Sequence, residues 1–520
     1  MKSEARPRHP NNPPAGMPAQ AGPLFICRMP LALRCLTLAL PLFLGACAVG
    51  PDYTRPPMPA PAAYKELDGW KRADPNDAVV GGPWWAAYGD PLLTSLVEQV
   101  SVSNQSLAQA EARFRQAQAL TQSARSQYYP TLGANLASTR SSATSSSQTA
   151  QALASATLVN NGTATTSRGG SINRNTLTLD ASWELDLWGR VGRTMESQAT
   201  NAQAAAGDLE AARLSTQAQL AQNYFLLRTL DTQQDLLQRT LVDYQRSVQL
   251  TQNQYSAGII AKADLILAQT QLKTTQAQAL DLGVQRAQLE HAIALLVGKA
   301  PADFSISHGQ LSATVPLVPV SLPSGLLERR PDIAAAERRV ASANAQIGIA
   351  SAAYYPRVSL SASGGVQSSV LGNLLSLPNR FWSLGPGLVA TLFDGGARRA
   401  QVAQASAAYD ATVATYRQTV LTGFQEVEDN LAALRILEDE AAVLNEAVAL
   451  SRRSVELTNN RYLAGTITYL NVIQVQATAL NNERSALDVL NRRLAASVLL
   501  VKALGGGWNA HALPSAASPQ

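Results

Sequence analysis

Between Thr176 and Leu187 apolar and polar residues alternate without a break. Leu177, Leu179, Ala181, Trp183, Leu185 and Leu187 fall on one side; Thr176, Thr178, Asp180, Ser182, Glu184 and Asp186 fall on the other. Period two over that length predicts a β-strand with one apolar and one polar face. Further along, Val358, Leu360 and Ala362 alternate with Ser359, Ser361 and Ser363. Trp382, Leu384, Pro386, Leu388, Ala390 and Leu392 share one face of another strand. Two-faced strands of about ten residues are what a transmembrane β-barrel requires. Trp183, Trp188, Phe381 and Trp382 are candidates for its interfacial aromatic girdle. The same alternation occurs in soluble sandwiches, so the strands alone leave that reading open.

After each strand pair the period lengthens. From Arg190 to Asn253 there is no Pro and only two Gly, Gly192 and Gly207. Leu220, Tyr224, Leu227, Leu230, Leu237, Leu241, Tyr244 and Val248 step by threes, fours and sevens. Val427, Leu431, Leu434, Leu437, Leu444, Val448 and Val455 repeat that register. Heptad-like spacing predicts coiled-coil packing of a helix about 95 Å long in each half. Each helix reaches an Ala-Gly turn, Ala257-Gly258 or Ala464-Gly465, after which a second helix (259–297, 466–504) doubles back. A Gly at such a point is also an ordinary helix C-cap.

These elements occur twice, and the copies align. Asn104 to Arg113 matches Arg330 to Arg339 without gaps, and the same offset carries Tyr128-Tyr129-Pro130 onto Tyr354-Tyr355-Pro356. Asp186 and Arg190 match Asp394 and Arg398; Tyr255-Ser256-Ala257-Gly258 matches Tyr462-Leu463-Ala464-Gly465. The length difference between copies lies around the Ser/Thr-rich stretch Ser138 to Ser167. The chain therefore reads as an N-terminal segment (47–92), repeat one (93–300), a Pro-rich joint (301–325), repeat two (326–508) and a tail (509–520). Each repeat holds a helix (93–127 or 328–353), a strand pair and a long helical hairpin. Four strands per chain cannot close a barrel, and open edges cannot sit in lipid. Three copies give twelve strands, whereas two give eight and leave no conduit. The fold class expected is a mixed α+β membrane protein: a trimeric twelve-stranded β-barrel with two long antiparallel helical hairpins per chain.

Composition narrows this further. Only 15% of the 520 residues are charged, against roughly a quarter in an average soluble domain. Leu31 to Val49 is the one long apolar stretch, so a multi-span helical transporter is excluded. Of the formal +5, residues 1–46 hold +4, and the balanced remainder has nothing to recruit nucleic acid. Arg28 and Arg34 flank Met29 ahead of the apolar run Leu36 to Leu44, which reads as a bacterial secretion signal over 1–46 with Met29 a candidate true start. It ends in Leu44-Gly45-Ala46-Cys47, a lipobox-like sequence. Cys47 is thus the expected lipidation site, carrying diacylglycerol and an N-acyl group; an ordinary cleavage site with a coincidental Cys is the alternative. Ala48, rather than Asp, favours the outer membrane over the inner. All three cysteines lie at or before this point, so the mature chain has no disulfide.

In order along the chain come Cys47-Ala-Val-Gly-Pro-Asp52-Tyr53-Thr-Arg55-Pro56, Trp84-Trp85 with Asp90-Pro91, and Trp183-Glu-Leu-Asp186-Leu-Trp188-Gly189-Arg190. Glu328-Arg329-Arg330-Pro331-Asp332-Ile333 and Leu392-Phe393-Asp394-Gly395-Gly396 complete the set. Over residues 47–508 the chain resembles the outer-membrane factors, the TolC-like channels of tripartite efflux pumps, and among them the NodT-type lipoproteins. The resemblance implies a homotrimer in the outer membrane, lipid-anchored and extending into the periplasm, its twelve-stranded β-barrel continued by a long periplasmic α-helical barrel. It implies a periplasmic membrane-fusion adaptor and an inner-membrane pump, of RND type, as partners, with Ala257, Gly258, Ala464 and Gly465 as the docking tips. It also implies a periplasmic gate. Asp264, six residues past Gly258, stands where the lock's acid is expected; Tyr462, with Tyr255 as its counterpart in the first copy, stands where that acid's tyrosine partner is expected. For Asp264 the alternative is a first-turn charge answering the helix macrodipole, and for the tyrosines it is hairpin packing. Asn471 and Gln474 occupy positions that often carry an acidic ring in this family, and no Arg follows Gly465 directly, a departure from its pattern.

Enzyme chemistry finds no footing. The four His (His9, His291, His308, His511) form no HExxH motif, and Gly505-Gly506-Gly507-Trp508 lacks the Lys of a phosphate-binding loop. Glu438-Asp439-Glu440 reads as a solvated helix face. Neither cofactor nor metal is expected. The function implied is a passive exit duct for drugs, metals or other small molecules. A type I protein-secretion channel is the alternative, and a coiled-coil structural lipoprotein a remoter one.

Overall fold

The computed structural model describes residues 49–61, 63–66, 83–142, 171–312, 314–316 and 325–514. Cys47 and its lipobox, and most of the Ser/Thr-rich stretch, lie outside these residues. Helix α1 (Pro91–Ser103) and α2 (Gln105–Ser126) lead to strands β1 (Thr131–Ser142) and β2 (Ser171–Leu185). The hairpin of α3 (Arg190–Ser256) and α4 (Lys262–Leu296) follows. In the second copy α5 (Pro331–Ala352), β3 (Arg357–Ser368), β4 (Arg380–Val389), α6 (Ala397–Leu463) and α7 (Tyr469–Ala503) repeat that order. The copies agree in length: α3 and α6 have 67 residues each, α4 and α7 have 35, and α2 and α5 have 22.

Three boundaries differ from the sequence reading, each for a local reason. The expected helix over 93–127 is two, because Asn104 is extended (ψ 124°) and caps α2, accepting from Leu107 N at 3.0 Å while its amide donates to the Leu296 carbonyl. β2 ends at Leu185 rather than Leu187, where Asp186 turns to accept from the amides of Val191 and Gly192 and starts α3. β4 ends at Val389, so Ala390 and Leu392 lie beyond the strand.

The strands form one antiparallel sheet in the order β1-β2-β3-β4, leaving one edge of β1 and one of β4 without a strand partner among the described residues. Leu132 pairs with Ala181, Ala181 with Ala362, and Ala362 with Leu384, so the apolar faces of all four strands coincide. On the other face Asp180 accepts from Thr178 and Ser363. Trp382, 81% exposed, and Trp183 share the apolar face. Two of the four girdle candidates do not. Alternation turns Phe381 to the polar face, and Trp188 packs at the strand–helix junction, stacked on Tyr355 and donating to the Pro356 carbonyl at 2.7 Å.

The main core lies where the helices meet below the sheet. Leu220, Tyr224, Phe225 and Leu227 of α3 pack with Val97 of α1, Ile333 and Val340 of α5, Val420, Val427 and Leu431 of α6, and Leu494 and Val498 of α7. The recurrent sequence motifs brace it. Asp90 caps α1 and accepts from the Tyr224 hydroxyl at 2.6 Å, and that phenol is pushed up to about 12, chiefly by burial and then by Asp90. Buried Arg330 forks onto Asp332 and reaches Glu426 and the Ala503 carbonyl. Fully buried Asp231 receives Arg228 and Arg286, with His308 at 3.3 Å, which ties the joint between the repeats to α3 and α4. Residues 49–61 and 63–66 lie as a strap over the helices: Asp52 meets Arg193, Tyr53 meets Glu337, and Glu428 accepts from the amides of Lys65 and Glu66.

Candidate functional site: the helical tips and their tyrosine contacts

Both hairpins end in the same turn. Ile259 N donates to the Gln254 carbonyl and Gly258 N to that of Tyr255; Thr466 N and Gly465 N repeat the pattern onto Arg461 and Tyr462. This is a Schellman-type termination, which needs a left-handed residue. Gly258 and Gly465 supply it at φ 72° and 73°. Ala257, Gly258, Ala464 and Gly465 are all exposed at the ends of their hairpins, as a docking surface requires.

Behind the second turn the two hairpins touch through tyrosines. Tyr462 is buried, with its ring 5.4 Å from that of Tyr469, and its hydroxyl donates to Gln254 Oε1 of α3 at 2.7 Å. Burial raises its pKa, helped by Tyr469 and by the nearby Asp264 carboxylate. Asp264 stands half-buried in the first turn of α4. Within one chain, then, the expected acid and tyrosine are neighbours without being bonded: the phenol proton goes to Gln254. Tyr255 is exposed on the tip and takes no part in this contact. Asn471 and Gln474 are exposed near the start of α7. Tyr469 leans on Ser247, and Gln271 donates to the Tyr244 hydroxyl at 3.2 Å one layer further up. Gln254, Tyr469, Ser247 and Gln271 were missed in the sequence reading. The available clue was Tyr469, one heptad beyond Tyr462.

The duplicated hairpins, the two-faced sheet and the paired tips together give the geometry that known proteins share. Residues 96–299 and 322–506, one segment per repeat, match the family described as outer membrane efflux protein. The chain belongs to the outer membrane efflux protein family. It is 31% identical over 469 residues to the pyoverdine export outer membrane protein OpmQ of Pseudomonas aeruginosa, covering 90% of this chain and 95% of the relative. It is 32% identical over 474 residues to outer membrane protein OprJ of the same species, covering 91% and 95%. The solved structure of the outer-membrane channel OprN superposes with a TM-score of 0.79 at 29% identity, covering 89% of this chain and all of that one. This efflux protein thus resides in the outer membrane and acts as a transport component, as the resemblance implied. Among its described residues no helix is long and apolar enough to cross a membrane.

Proposed function

We propose that three copies of this efflux protein close a twelve-stranded barrel and form the passive exit duct of a tripartite pump. The observation that carries this is the four-stranded sheet with a lipid-compatible face, a polar face and two free edges. Unpaired edges cannot stand in hydrocarbon, and joining β4 of one copy to β1 of the next removes all of them. A second apolar stripe on α6 supports the same assembly. Ile436, Val443, Leu450 and Leu457 recur every seven residues and are exposed in the single chain. That spacing suits a helix of a neighbouring copy.

Small molecules, in the manner of the pyoverdine export named for OpmQ, enter from an inner-membrane pump of the RND type. A periplasmic adaptor docks on the Ala-Gly tips, and acylated Cys47 adds a lipid anchor. Asp264, Tyr462 and their neighbours hold the periplasmic end closed, with Asn471 and Gln474 facing the constriction in place of an acidic ring. Phenol and carboxylate groups shielded from water bond more strongly than exposed ones, so a few such contacts suffice for a gate. Single-channel recording in planar bilayers tests this. Wild type should show a small, mostly closed conductance, and Asp264→Ala a larger and longer-lived one. A wild type already fully open would remove Asp264 from the gate, and silence from both inserted proteins would overturn the duct.

A further inference from the structure

A cavity of about 360 Å³ opens where α3 of the first hairpin meets α6 and α7 of the second. Thr232 fixes its level along the helices: the hydroxyl accepts from Leu311 N of the joint at 3.0 Å, and the same residue lines the cavity. Leu236, buried, and Leu487 and Leu490, half-buried, give it an apolar wall. Each helix then adds one arginine. Arg239 of α3 and Arg452 of α6 are exposed, and Arg493 of α7 is half-buried. That volume lies within the range of small-molecule sites, about 300–1,000 Å³.

The lining is short of negative charge. Glu483 is its one carboxylate against three guanidinium groups, and Arg452 already holds it in an ion pair. Arg239 forms no ion pair among the described residues, and its neighbour Asp235 is engaged by His308 and Gln310 of the joint, one on each oxygen. Arg493 meets Glu438 only at 3.5 Å, and its buried Nε has no hydrogen-bond partner among the described residues. A buried donor left unpaired is costly and rare in native proteins. The cavity also stays clear of the surface assigned above to a neighbouring copy. Asn445 and Arg452 line it, and each stands two residues past a member of the exposed row, Val443 and Leu450. At about 100° per residue that is about 200° round α6, on its opposite side.

We propose that this cavity binds a small amphipathic anion, a carboxylate or sulfonate carried on an apolar body, which bridges the two hairpins. The body lies against the leucines, and the anionic group engages Arg239 and Arg493. Guanidinium groups suit such a ligand because their planar fork donates two parallel hydrogen bonds to one anionic group. Arg239 belongs to the first hairpin and Arg493 to the second, so one anion held by both ties them together.

Isothermal titration of the purified full-length protein with naphthalene-2-sulfonate, and with the uncharged naphthalene-2-sulfonamide, tests it against a detergent blank. The sulfonate should bind saturably at one site per chain, and the sulfonamide at least about tenfold more weakly. Arg239→Gln, a change at an exposed position that leaves the packing alone, should weaken the sulfonate about fivefold to tenfold and leave the sulfonamide unchanged. Arg493→Gln should do the same, and Arg493→Lys should recover part of the loss. Arg417→Gln removes an equal charge from the exposed surface of α6 outside the cavity and should alter neither ligand. Absence of saturable sulfonate binding, or equal affinity for the sulfonamide, would overturn the site. An effect of Arg493→Gln without one of Arg239→Gln would overturn the bridge between hairpins.

Discussion

At the strand-to-helix junctions, single carboxylates do the work of stopping one element and starting another. Asp394 accepts from the amides of Gly396 and Arg398 and from the Arg398 guanidinium at 2.6 Å. The Arg398 bond, reinforced by the two amides, holds its carboxyl down to about 2. A folded-state pKa below the ordinary value near about 4 means that the ionised form favours the folded state. That contribution is complete above the ordinary range and fades as pH falls toward the depressed value. Thermal melts of wild type and Asp394→Asn in detergent should differ at neutral pH and converge near the acid limit. Asp394 and its counterpart Asp186 were visible in the sequence as matched positions, but their role was not. Which amide a carboxylate caps depends on where the preceding strand ends, and alternation overran that end in both copies.

The helices were legible because a period sustained over dozens of residues is hard to mistake. Leu220, Tyr224, Leu227, Leu230, Leu237, Leu241 and Tyr244 are all buried. In α6 the expected row is buried from Val427 to Leu437, and then Leu444, Val448 and Val455 are only half-covered. The second row, from Ile436 to Leu457, escaped notice because nothing in the single chain covers it among the described residues. A sequence shows the period of a stripe without saying whether the other helix belongs to the same molecule. Leu450→Asp should therefore leave the folded protomer intact and shift it from trimer to monomer, as read by light scattering coupled to size exclusion in detergent. An unchanged trimer would take that row out of the interface. Asn104 was illegible for the opposite reason: its break is fixed by the Leu296 carbonyl, nearly two hundred residues away in the chain.

For the assembled molecule, the edges of the sheet decide more than its interior. The sequence predicted four strands and hence the need for partners, but pairing register belongs to contacts between chains. Cysteine scanning reads it directly, since no cysteine follows Cys47. Pairing all of β4 with β1 of the next copy, apolar faces aligned, puts Arg380 opposite position 140 or 142. In the first register Trp382→Cys should cross-link to Ser138→Cys of the next copy; in the second it should cross-link to Arg140→Cys instead. A covalent trimer ladder on a denaturing gel should appear for one of these pairs. Absence of ladders from both would reject edge-to-edge closure by β1 and β4.

The equal lengths of the duplicated helices make the molecule a ruler. At about 1.5 Å and 100° per residue, one residue lost from α3 alone would both shorten that arm and rotate every apolar position beyond the gap off its seam. Compensation would need a matching loss in α4, and the two tips would then stand at different depths. Evolution therefore has few free moves along the helical shafts. The copies have kept 67 and 35 residues in step, while the connection between the first two strands is longer than that between the second two. In this chain, insertions and deletions are a map of which surfaces have no counterpart to meet.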